Sequence, residues 1–156
     1  MKALTPLLSL LLILLFTPVN LLAQEPANRN KETLPITNTG KSYKKTYFSN
    51  GKMKEEGWIE NGNKNYFWIT YFENGNKKSE GHYLNNTKRD WWVFYNEIGQ
   101  KTNEGHYTDH VKTGFHHIYK DGKPVDVGHF MNDIKKGTWV KLNAKGDYIE
   151  IIEYGE

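Results

Sequence analysis

The chain has 156 residues, enough for about one domain, with 21 Lys+Arg against 18 Asp+Glu and no cysteine. Without thiols it has no disulfide staple, thiolate metal site or cysteine nucleophile. A formal charge of +3, spread over interleaved acids and bases, contains no run of one sign of the kind that holds nucleic acid.

In chain order, the first predicted element is a signal peptide helix over Met1–Ala23. Lys2 precedes an apolar run, Leu7–Phe16, and a stretch bearing Pro18 leads to the small residue Ala23. The expected cut lies between Ala23 and Gln24, which makes the mature protein exported: periplasmic, held in the cell envelope or secreted. The alternative is an uncleaved anchor, but Pro6, Thr17, Pro18 and Asn20 interrupt the stretch that would span. Residues 24–45 carry Pro26, Pro35 and many polar side chains, the composition of a flexible linker.

From Thr46 the sequence repeats itself with a period of about 24 residues. The rows are 46–69, 70–93, 94–118 and 119–140, with a truncated fifth at 141–156. Gly51, Gly75, Gly99, Gly122 and Gly146 share one column, and Gly57, Gly81, Gly105 and Gly128 another. Tyr71, Tyr95 and Tyr119 follow Tyr47 in a third. Lys64, Lys88, Lys112 and Lys135 form a fourth, and Trp68, Trp92, His116 and Trp139 a fifth. The fourth row is one residue short, between Tyr119 and Gly122, where a turn absorbs the loss.

Asn50-Gly51 and Asn74-Gly75 read as tight turns, because Asn and Gly accept positive φ at low cost. A second polar turn falls midway, as at Asn61-Gly62-Asn63 and Asn85-Asn86-Thr87. Between turns the side chains alternate, as a strand requires. Each row is therefore a β-hairpin. The expected fold is all-β, an elongated single antiparallel meander of about nine to ten strands. Asp147–Glu156 is expected to close it, with Glu150 and Glu153 protecting the edge.

The row Glu80-Gly81-His82-Tyr83-Leu84-Asn85-Asn86-Thr87-Lys88, followed by Trp92, Tyr95 and Gly99, resembles the MORN-repeat variant, in particular the bacterial YwqK-type family. The Lys-x-Gly element of that pattern stands at Lys112-Thr113-Gly114 and Lys135-Lys136-Gly137. It is changed to Lys64-Asn65-Tyr66 and Lys88-Arg89-Asp90 in the first two rows. The resemblance implies an antitoxin-like, protein-binding role.

Equivalent residues of successive repeats lie two strands, about 10 Å, apart. His82, His106 and His129 are therefore too far apart to ligate one metal ion, and they read as surface or stacking groups. Repetition spreads side chains evenly, whereas catalysis needs one convergent cluster, and no such cluster stands out. The chain is expected to be non-enzymatic and to need no cofactor or metal. Exposed members of the Trp68, Trp92, Trp139 and Tyr71, Tyr95, Tyr119 columns are the expected partner-binding residues. The partner is expected to be a protein, with a cell-wall glycan or an acidic lipid surface as alternatives.

Overall fold

The computed structural model describes residues 40–155; the expected signal segment, its cut and residues 24–39 of the linker lie outside them. Ten strands form one open antiparallel sheet in chain order, each paired only with its chain neighbours. They are β1 (Lys41–Tyr47), β2 (Met53–Glu60), β3 (Asn63–Tyr71), β4 (Lys77–Leu84), β5 (Thr87–Tyr95), β6 (Lys101–Thr108), β7 (Val111–Lys120), β8 (Lys123–Met131), β9 (Ile134–Leu142) and β10 (Tyr148–Tyr154). There is no helix among the described residues. The sheet starts ahead of the boundary expected at Thr46. Lys41 to Lys45 pair with Glu60 to Glu56 as part of β1 instead of serving as linker.

Two kinds of turn alternate. In the polar slots Asn61-Gly62, Asn85-Asn86, Asp109-His110 and Asn132-Asp133, both residues have φ between 49° and 80°. These are two-residue turns whose twist matches that of the strands. The slots predicted as tight Asn-Gly turns are wider. At the first, Gly51 alone takes positive φ, and its N–H donates to Phe48 O at 3.0 Å. Asn50 Oδ1 accepts the N–H of Lys52 at 3.0 Å and so holds the loop. The short fourth row loses its residue here: Asp121 and Gly122, at φ 53° and 74°, reduce the loop to a two-residue turn between Lys120 and Lys123.

The core lies on one face of this sheet. A register shift follows each of Gly57, Gly81, Gly105 and Gly128. The facing strand kinks there through Tyr66, Asp90, Gly114 or Gly137, all at φ between 59° and 64°. The kink interrupts the ladder, and a ring N–H takes the carbonyl beside it. Trp68 Nε1 donates to Trp58 O at 3.0 Å and Asn65 O at 3.1 Å. Trp92 Nε1 donates to His82 O at 3.0 Å and Arg89 O at 3.1 Å. Trp139 Nε1 donates to His129 O at 3.0 Å, and His116 Nε2 lies 2.8 Å from His106 O.

Each ring lies flat over the glycine of the strand before it. A methyl group at Gly57, Gly81, Gly105 or Gly128 would sit inside the ring of Trp68, Trp92, His116 or Trp139. Between these seats stand Tyr83, Tyr107 and Phe130. An unbroken series runs Trp68, Tyr83, Trp92, Phe94, Tyr107, His116, Phe130, Trp139, Tyr154, with centroids 4.9 to 6.3 Å apart. Trp68, Trp92 and Trp139 are 0% exposed although the described residues form a single layer. Lysine stems complete the cover. Nζ lies 4.3 Å over Trp68 for Lys64, 4.9 Å over Trp92 for Lys88, 4.9 Å over Phe130 for Lys112 and 4.0 Å over Trp139 for Lys135.

The glycine–ring alternation stops at both edge strands. Lys44 of β1 faces Gly57 where a ring would be expected, and Ile152 of β10 faces Trp139 where a glycine would be.

Gly81→Ala is expected to lower unfolding stability by at least ~2 kcal/mol, because the added methyl overlaps the Trp92 ring. Gly51→Ala adds its methyl in open space and incurs only the left-handed strain at φ 81°, about 1 kcal/mol. Urea titration of the two variants measures the difference.

Candidate functional site

Alternation along the strand turns the residue before each buried ring to the opposite, outer face. Phe67, Trp91 and Phe115 stand there, each edge-on to a histidine across the strand pair. The centroid distances are 5.5 Å for Phe67–His82, 5.0 Å for Trp91–His106 and 4.9 Å for Phe115–His129. Tyr43–Trp58 continues the row at 5.2 Å. Trp58 is 38% exposed, Phe67 43% and Phe115 41%. The row repeats every two strands, about 10 Å.

Beside it runs a ladder of phenols and carboxylates. Tyr71 donates to Glu56 Oε1 at 2.7 Å and Tyr95 to Glu80 Oε1 at 2.6 Å, and Tyr119 donates to Glu104 Oε1. Lys45, Lys77 and Lys101 sit against the same three carboxylates at 3.6, 2.8 and 2.8 Å. The tyrosine hydrogen bond is the main influence holding the Glu56 carboxyl below its ordinary value. Burial pushes Glu104 upward, but its bonds from Lys101 and Tyr119 outweigh that, and the net shift is down. Burial, then the bond to Glu56, pushes the Tyr71 phenol up to about 12. In the next row both partners change together, to Val127 and Leu142.

Repeat symmetry breaks in the first two rows. Tyr66 and Asp90, at φ 62° and 59°, hold the left-handed slots that Gly114 and Gly137 hold later. A bulky residue in that conformation is strained. Both side chains line one hollow of about 430 Å³, with Glu60, His82 and Arg89 among its walls. Tyr66 OH donates to Glu60 Oε2 at 3.0 Å, and Arg89 pairs with Asp109 at 2.9 Å.

The expected partner-binding set therefore divides. Trp68, Trp92 and Trp139 have no exposed surface, because each is seated on a glycine and roofed by a lysine, so they cannot present a ring to a partner. Tyr71, Tyr95 and Tyr119 lie half-buried on the outer face with their hydroxyls engaged by glutamates. Of the repeat glycines, Gly57, Gly81, Gly105 and Gly128 are ring seats, while Gly51, Gly75, Gly99, Gly122 and Gly146 are turn residues at positive φ. Phe67, Trp91 and Phe115 were not singled out from the sequence. Their signal was present: each immediately precedes a member of the buried column and so faces the other way.

His116 is the one histidine in the ring column and is 0% exposed. Its Nε2 faces the His106 carbonyl, which only accepts, so the proton belongs on Nε2. Nδ1 has no partner over Gly105. Burial, the largest influence, holds its pKa below the ordinary value. Among the described residues no three His, Asp or Glu side chains converge on a metal-sized site.

These features define an all-β protein of tandem hairpins, one face filled by its own rings and the other presenting a row of them. No family model and no curated protein matches the chain.

His116 binds a proton more readily unfolded than folded, so its contribution to stability is complete above pH 6.5 and declines as pH falls below it. Glu56 and Glu104 act in the same direction below pH 4.5. The urea midpoint is expected to drop between pH 6.5 and pH 5. In His116→Trp, which restores the indole of the other rows, the midpoint should stay nearly level over that interval.

Proposed function

We propose that this chain is an exported, non-enzymatic repeat protein of the MORN-variant type that binds a protein partner through its outer face, in a toxin-neutralising or scaffold role. The observation that carries the reading is the row Tyr43, Phe67, Trp91 and Phe115, with Trp58 beside Tyr43. These large rings stand on the solvent side of a sheet whose core is complete without them. Aromatic side chains supply the anchors of most protein interfaces, and they give large contact area at low entropic cost. The hollow beside Tyr66 and Asp90 adds a concave feature next to the row, lined by rings and by the charged groups of Glu60 and Arg89. Strain at those two positions also supports a role that glycine would not fill.

A second reading, a cell-wall or glycan ligand, draws on the same row, because rings at a regular interval with carboxylates alongside suit an extended polymer of sugars. The acidic-lipid reading has less behind it. Two of its four lysines, Lys64 and Lys135, are already neutralised by Glu55 and Asp126.

The test is affinity capture from the native envelope with the whole chain as bait. Phe67→Ser with Phe115→Ser should lose one stoichiometric protein, with stability changed by only about 0.5 kcal/mol per exposed site. Capture of saccharide in place of protein supports the glycan reading. A double variant that still captures the same protein undamped sinks the proposal.

A further inference from the structure

The inner face carries an inference independent of the outer row. Lys64, Lys88, Lys112 and Lys135 hold equivalent places over the rings, yet among the described residues only the outer two have a counter-charge. Lys64 Nζ lies 2.5 Å from Glu55 Oε2, and Lys135 Nζ bonds Asp126 Oδ2. In both, the acid stands nine residues before the lysine, on the preceding strand. At the same offset stand Ser79 for Lys88 and Asn103 for Lys112. Ser79 shares its hydroxyl hydrogen bond with Thr70 Oγ1 at 2.7 Å. Asn103 Oδ1 is buried without a partner.

Lys88 Nζ is surrounded by ring faces, 4.9 Å from Trp92, 4.8 Å from Phe94 and 5.7 Å from Tyr107. Burial holds its pKa below the ordinary lysine value. Ring faces attract a cation but do not neutralise it. A half-buried ammonium without a carboxylate is the less favourable arrangement, and two adjacent repeats share it. Asp133 accepts the backbone N–H of Lys112 through Oδ1 at 2.9 Å and makes no ion pair with its ammonium.

We propose that Lys88 and Lys112 form a two-seat carboxylate-binding site, at which an acidic peptide supplies the counter-charges that Glu55 and Asp126 supply in the flanking repeats. Carboxylate is the fitting class because the occupied seats already hold one. Each seat offers a single ammonium and no guanidinium fork, too little positive charge for a phosphate carrying close to two. The seats are two strands apart, about 10 Å, so one peptide with acids at that spacing engages both and gains from the second contact.

The test titrates the whole chain with hexaglutamate and follows tryptophan fluorescence, since Lys88 lies over Trp92. Hexaglutamate is expected to bind and to weaken with added salt, hexaglutamine to give no change, and inorganic phosphate to bind at least tenfold more weakly. Asn103→Asp is isosteric and gives Lys112 its own carboxylate; Ser79→Glu does the same for Lys88. Each should weaken the peptide at least threefold, and the pair together should abolish binding. Lys64→Met and Lys135→Met should leave it within twofold. The proposal is overturned if hexaglutamate does not bind, if Asn103→Asp binds it as tightly as the unaltered chain, or if phosphate matches it. Equal loss in Lys64→Met and Lys135→Met also overturns it. These readouts do not involve Phe67 or Phe115, so the result stands apart from the outcome of the envelope capture.

Discussion

An indole laid flat on a glycine of the preceding strand is the contact on which this molecule depends. It does two things at once. The ring covers backbone that a single-layer sheet would leave to water, and its N–H takes carbonyls beside the kinked ladder. Burying that much ring surface is the main stabilising term available to a single-layer sheet in a chain with no cysteine. Because each seat uses only two neighbouring strands, stability accumulates locally, repeat by repeat.

That contact also sorts the two faces. On the inner face every large ring is committed to its neighbours, and lysine stems close the remaining gaps. The outer face is left with a hydrogen-bonded ladder of Tyr71, Tyr95 and Tyr119 and a separate row of rings with no structural duty of that kind. The division explains why His116 can replace an indole. It preserves the N–H to the carbonyl but leaves Nδ1 without a partner, in a buried place that disfavours the protonated ring.

Much of this was legible in the sequence. The period, the glycine columns, the hairpin per row and the all-β meander follow from spacing and turn chemistry, and the structure has ten strands in chain order. The assignment of turn types went astray because Asn50-Gly51 resembles a two-residue turn, while the side chain of Asn50 instead organises a wider loop. From the sequence alone the tryptophan column reads as binding surface wherever it is exposed. Only the register, which places Gly57, Gly81 and Gly128 beneath Trp68, Trp92 and Trp139, decides for burial. Tyr66 and Asp90 looked like lost glycines. The backbone keeps the left-handed turn there regardless, because the ring seat next to it requires the kink.

Ile152 gives the array a directional grammar. Any row inserted between existing rows brings both its own ring and the bare backbone on which the following ring rests, so internal duplication is structurally neutral. A row appended beyond β10 would have to lay its indole on a branched side chain. Growth of such an array by copying is thus open in the middle and hindered at that edge.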